Sequence, residues 1–146
     1  DRCDSLDWPY SVFDIREEYS NEQRYPDSKE YFCSSVEDFL GKETKKSLSR
    51  FSDILLLSHD WSVDEELLVG LLRVCNEGVR PRIGAIGSKK KWSAFEKKAI
   101  ESGIEKRLIE SVRCPIGLDI GADSPEEIAI AVCAEVLSLE RKDIPT

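Results

Sequence analysis

The pattern of apolar runs predicts an α/β domain built on a doubly wound, mainly parallel sheet. Short apolar segments at 53–59 and 82–87 are each followed by a helical pattern, at the spacing of a parallel crossover. Asp53-Ile54-Leu55-Leu56-Leu57-Ser58-His59 has an unbroken apolar middle, as expected of a strand covered on both faces. It is therefore expected at the centre of the sheet, with 82–87 beside it. A strongly signalled helix closes the domain. Ser124 suits an N-cap, Pro125 the first helical position, and Glu127 completes a capping box. From Ile128 to Leu139 that helix is apolar nearly all round, which predicts burial.

The remaining elements follow in order. Residues 1–9 are polar and end in Trp8-Pro9, as at the close of a helix and a turn. Tyr10 to Asp14 reads as a short strand ending in an acid. An acid in that place can hydrogen-bond a ribose hydroxyl, or can simply end the strand in a turn. Residues 16–30 are charged and loop-like, Tyr31-Phe32-Cys33 suits a short edge strand, and Ser35 to Gly41 a brief helix. The stretch 42–52 carries too little pattern to assign. Val63 to Glu77 is an amphipathic helix with Leu67, Leu68, Leu71, Leu72 and Cys75 on one side, and Gly78 is its expected C-cap. Arg82 to Gly87 leads through Ser88 into a helix reaching Ser102 and stopped by Gly103, and a second short helix is expected at about 105–112.

Composition narrows the classes of function. With 40% hydrophobic and 34% charged residues the chain can build a core, and no apolar run nears the roughly 20 residues a membrane helix needs. A net charge of −8 argues against nucleic acid as a partner, and the absence of a visible signal peptide favours the cytoplasm. The charge is uneven. Residues 1–43 carry 12 acidic and 5 basic groups, whereas residues 88–113 carry 8 basic and 4 acidic. A local basic patch on an acidic chain suits a small anionic ligand or an acidic partner face, or else a solvated helix surface.

Candidate site residues collect where strands end. His59 and Asp60 follow the apolar run at 53–57, at the sheet edge where ligands of open α/β folds bind. Gly84, Gly87, Ser88 and one of the lysines 89–91 surround an anion-sized space at the next strand–helix turn, with Lys89 the first of them. Arg113-Cys114-Pro115-Ile116-Gly117-Leu118-Asp119-Ile120-Gly121 delivers two glycines and an acid to the start of the closing helix, where free N–H groups and the helix dipole favour negative charge. The same glycines also suit a tight connection with no ligand. Five scattered cysteines show no metal-ligand spacing. Cys75 and Cys133 fall within apolar helical patterns, and Cys114 sits where a helix N-terminus could lower a thiol pKa.

Arg-Cys-Pro-Ile-Gly-Leu-Asp-Ile-Gly-Ala-x-Ser-Pro-Glu-Glu-Ile-Ala, over 113–129, strongly resembles the closing signature of the XdhC/CoxI family, in its C-terminal Rossmann-like domain. Phe13-Asp14-Ile15-Arg16-Glu17-Glu18-Tyr19, Leu57-Ser58-His59-Asp60 and Ile83-Gly84-Ala85-Ile86-Gly87-Ser88-Lys89-Lys90-Lys91 fit the family in the same order. The resemblance implies a cofactor-handling accessory factor, more in keeping with a non-enzyme than an enzyme. It would assist a molybdenum hydroxylase such as xanthine dehydrogenase. The implied ligand is nucleotide-like and anionic, molybdenum cofactor (molybdopterin) or NAD(P). Asp14, His59, Asp60, Gly84, Gly87, Ser88, Lys89, Gly117, Asp119 and Gly121 are its candidate contacts. An NAD(P)-dependent oxidoreductase is the alternative, and a homodimer is left open. The usual first strand and Gly-x-Gly-x-x-Gly turn of a dinucleotide-binding domain are not in the sequence. Residues 1–146 are thus expected to be an N-terminally truncated XdhC-type Rossmann-like domain without the family's separate N-terminal domain.

Overall fold

The computed structural model describes residues 8–16, 20–57, 60–75, 81–87, 89–118 and 121–143, the side chains of the last two excepted. The chain divides into two compact units, 1–43 and 44–146. In the first, β1 (Val12–Phe13) pairs in parallel with β2 (Tyr31–Phe32). Helix α1 (Val36–Gly41) is capped by Ser35, whose hydroxyl accepts the Asp38 N–H. It brings Phe39 to 5.0 Å from the rings of both Phe13 and Phe32, and these three aromatics with buried Val36 form a small core. Buried Ser20 donates to the Phe32 carbonyl at 2.9 Å, tying the loop to the strand end.

In the second unit, the stretch left unassigned by pattern contains a one-turn helix, α2 (Lys45–Leu48). Its signal is local rather than periodic: Thr44 and Ser47 form a reciprocal capping box, and Leu48 is fully buried. β3 (Asp53–Leu56) and β4 (Arg82–Ala85) pair in parallel, Asp53 opposite Arg82 through Leu56 opposite Ala85. The parallel arrangement agrees with expectation, but the order within the sheet does not. The Arg113 N–H donates to the Ile83 carbonyl and the Ile116 N–H to that of Ala85, so segment 113–116 runs along the far side of β4. Among the described residues β4, not β3, is thus the inner strand. An apolar run reports cover above and below a strand, not which of its edges is paired. Ile54 and Leu55 are only half-buried, whereas Ile83, Gly84 and Ala85 are buried.

The helices lie close to their expected spans. Helix α3 (Trp61–Val74) begins two residues earlier than the pattern suggested, because Asp60 caps it by accepting the Ser62 N–H at 2.9 Å. It buries Leu67, Leu68, Leu71 and Leu72, and Cys75 is buried at its end, while Gly78 lies outside the described residues. Helices α4 (Lys89–Glu101) and α5 (Lys106–Glu110) follow, and α4 buries Phe95 and Ala99. In α6 (Pro125–Asp143) the Glu127 N–H donates to the Ser124 hydroxyl and the Ser124 N–H to the Glu127 carboxylate, the capping box expected. Burial of α6 departs from expectation. Among its described side chains only those of Ala131, Val132 and Glu135 are buried, Cys133 is half-buried, and Ile130 and Leu137 are 45% and 40% exposed. A helix laid on one surface buries a stripe, however apolar its circumference.

The starts of β3 and β4 are joined to α6 through Arg82. Its guanidinium donates Nε and Nη2 to the two carboxylate oxygens of Asp53, both at 2.9 Å, and Nη2 to Glu140 at 2.6 Å. Arg82 and Asp53 side chains are each 12% exposed, Glu140 41%. Two hydrogen-bonded carboxylates outweigh burial and hold the guanidinium firmly charged. Removing the Asp53 charge weakens both bonds on the nearly buried side of the guanidinium. Asp53→Asn should therefore cost about 3 kcal/mol in chemical denaturation, whereas Glu140→Gln, at the open side, should cost under about 1 kcal/mol.

Candidate functional site

Because β3, β4 and segment 113–116 run in one direction, the loops that follow them leave from a common edge. The first passes exposed Leu57 to Asp60, and His59 lies outside the described residues. The Asp60 carboxylate accepts from both the N–H and the hydroxyl of Ser62, so its evident duty is to start α3.

The second loop is the strand–glycine–helix turn. The Ile86 N–H donates to the Leu56 carbonyl at 3.1 Å, carrying the ladder one residue beyond β4. A Cβ placed on Gly87 would lie 2.4 Å from Cδ of Lys91, so glycine is needed where the Lys91 side chain passes beneath the turn. Lys89 and Lys90 are exposed, whereas Lys91 is 4% exposed. Its Nζ donates to the Ile86 carbonyl at 2.9 Å and to Oδ2 of Asp64, 1% exposed, at 3.2 Å, and stands 5.3 Å above the ring centre of Phe95. Ser88 lies outside the described residues. Gly84 is buried within β4, and its missing side chain leaves room for that of Ile116, 3.0 Å from where its Cβ would stand.

The third loop lies on α6. Gly117, at φ +122°, comes close enough that a Cβ would meet that of Ala131 at 3.4 Å, and the next N–H, of Leu118, donates to the Ala131 carbonyl. Upstream, Nε of Arg113 donates to buried Glu135 at 3.3 Å. Asp119 lies outside the described residues, and Gly121 turns the chain toward the cap at Ser124. Cys114 is half-buried, and burial pushes its thiol above the usual range, only partly opposed by the charge of Lys91. The lowered thiol pKa expected from a helix N-terminus is therefore corrected: desolvation outweighs the nearby positive charge.

Asp14 belongs to the first unit. It ends β1 with its N–H on the Phe32 carbonyl, and its carboxylate accepts from the Arg16 N–H at 2.9 Å and from the guanidinium at 3.1 and 3.3 Å. Partial burial raises its pKa, but the hydrogen bonds and charge of Arg16 together outweigh that and hold it below the usual carboxylate range.

Of the described candidates of the second unit, Asp60, Gly87 and Lys89 at strand ends and Gly117 and Gly121 in the facing loop fall on one edge, whereas Gly84 lies inside β4. Sequence reasoning missed Asp64 and committed to Lys89 rather than Lys91. A helical signal for both was present. Lys91 stands four and eight residues before buried Phe95 and Ala99, and Asp64 three, four and seven before Leu67, Leu68 and Leu71. Among the described residues no group of three or more His, Cys, Asp or Glu side chains could hold a metal ion.

Short parallel pairs, crossover helices and turns converging on the carboxyl edge define a Rossmann-like α/β domain. The chain belongs to the XdhC family: the model of the XdhC Rossmann domain matches residues 2–136. It is similar to the Escherichia coli K12 protein YqeB, named as uncharacterized, at 36% identity over 58 residues, 40% of this chain and 11% of that protein. It also resembles a crystal structure from Bacillus halodurans titled a xanthine dehydrogenase, with a TM-score of 0.76 and 26% identity over 98% of this chain and 38% of that one. The chain thus spans well under half the length of either relative.

The Cys114 environment is directly measurable. In alkylation followed by peptide mass spectrometry, Cys114 should label behind exposed Cys33. Because its thiolate is disfavoured, its rate should keep rising with pH beyond about 9, where an ordinary thiol is already mostly ionised.

Proposed function

We propose that this chain is the nucleotide-binding part of an accessory factor that assists a molybdenum hydroxylase such as xanthine dehydrogenase. Membership of the XdhC family supports this reading, together with the likeness to the Bacillus halodurans protein. The observation that carries the binding role is the Gly87 turn. It brings the first turn of the 13-residue α4 to the end of β4, with Lys89 exposed and without an ion pair among the described residues. Helix N-terminal N–H groups and an adjacent ammonium suit a phosphate.

In this proposal Gly84, Gly87 and Ser88 line the phosphate of an anionic, nucleotide-like cofactor, and Lys89 adds charge. Gly117, Asp119 and Gly121 form the facing loop, and His59 and Asp60 border the edge; Asp14, in the first unit, is by itself a candidate acceptor for a hydroxyl. The bound group, molybdenum cofactor or NAD(P), would bring the redox chemistry, while this chain binds and orients it. The protein would work in the cytoplasm on a client enzyme, as a domain of a longer XdhC-type protein or as a dimer. No helix of the described residues is long and apolar enough to cross a membrane.

Mass spectrometry of small molecules released from freshly purified protein tests the ligand class. A pterin supports the accessory reading over the oxidoreductase, a dinucleotide fits the binding role in either, and nothing bound counts against both. Independently, replacing Ser88 and Lys89 together by alanine should weaken binding of inorganic phosphate by on the order of 1–3 kcal/mol, the range for charge-assisted hydrogen bonds. Unchanged titration curves would mean that the turn is only structural.

A further inference from the structure

We infer that the buried Asp64–Lys91 pair is the positioning element of the carboxyl edge, holding the loops after β3 and β4 in the arrangement that receives an anion. The inference rests on the binding role proposed above and adds to it two residues that need not touch the ligand. Two geometric observations meet at this pair. Lys91 leaves the first turn of α4, passes under Gly87 so tightly that no Cβ fits there, and donates to the carbonyl of Ile86, the residue just before the turn. Asp64 lies in the first turn of α3, its N–H on the Asp60 carbonyl, and its carboxylate accepts from Lys91 at 3.2 Å. The Lys91 charge also reaches half-buried Cys114, in the segment beside β4. One ion pair therefore joins the loops that follow β3 and β4.

Energy alone does not explain such a pair. Two well-packed apolar side chains of similar volume usually serve stability as well or better, because burying both charges costs desolvation. What apolar residues cannot supply is direction. The ammonium fixes the Ile86 carbonyl and the Asp64 carboxylate at set distances, and so fixes where the turn begins relative to α3. With Lys91 committed to Asp64 and Ile86, the interior pair is neutral and the surface charge of Lys89 is left to meet an anion. Aromatic cover by fully buried Phe95 keeps water from competing for these bonds.

The test compares the full chain with Lys91→Met, Asp64→Leu and the double variant by thermal unfolding, titration with inorganic phosphate, and the pH profile of Cys114 alkylation read by peptide mass spectrometry. Each single variant removes the opposite charge from one buried ion and should melt lower. The double variant should recover most of that loss, yet its phosphate affinity should stay on the order of tenfold or more below that of the parent. Its Cys114 profile should move to higher pH, since the ammonium that partly stabilises the thiolate is gone. Phosphate affinity that returns together with stability, or a Cys114 profile that does not move, overturns the inference. If the parent chain itself binds no phosphate, the binding role falls instead, and the Cys114 profile alone decides whether Lys91 governs the neighbouring loop.

Discussion

The ladder between Asp53–Leu56 and Arg82–Ala85 sets where everything else can stand. Its register places both strand ends at one level, and the Ile86 N–H on Leu56 extends it by one rung, so the Gly87 turn starts from a pinned backbone. Segment 113–116 then uses the other side of β4 as its template. Side chains and ladder reinforce one another here: the space left by Gly84 is filled by Ile116, whose own N–H is bonded to Ala85. A side chain at 84 would strain the third segment and, through it, the loop that reaches α6. Parallel pairing thus matters less for its own modest hydrogen-bond energy than for collecting three connections at one edge.

The two ionic groups at opposite ends of this sheet are of different kinds. At the strand starts, Arg82 serves two carboxylates, one nearly buried and one open to water. That arrangement uses the planar fork of arginine, which matches a carboxylate with two parallel bonds. At the strand ends, a lysine meets the buried Asp64 carboxylate and the carbonyl of half-buried Ile86. The flexible stem of that lysine follows a path beneath Gly87. The first group fastens secondary elements to each other, and the second sets the shape of a turn.

Strongly periodic features were legible in the sequence. The leucines of α3, the apolar runs of β3 and β4, and the Ser124–Glu127 box announce themselves by local chemistry, and they stand where expected. What depended on partners distant in sequence was not legible. The strand-like role of 113–116 comes from the free edge of β4, since Arg-Cys-Pro has no alternation to betray it. The apolar circumference of α6 did not reveal that only one stripe meets the sheet. In the run Lys89-Lys90-Lys91, composition suggested a solvated basic patch, and only the four-residue spacing to Phe95 singles out the lysine that turns inward. Asp14 read as an open acceptor, because a sequence cannot tell that Arg16, two residues on, folds back onto it.

Helix α6 is gripped at several heights along its length. Leu118 bonds the carbonyl of Ala131, Arg113 bonds Glu135, and Arg82 bonds Glu140. At a rise of 1.5 Å per residue, the first and last of these are about 13 Å apart along the axis. The helix is therefore held near both ends, with one grip toward each edge of the sheet. A roll large enough to free Glu140 from Arg82 also swings Ala131 away from Leu118. Opening of the loop beside the candidate site and loosening of the salt bridge at the far edge are, for this helix, the same movement.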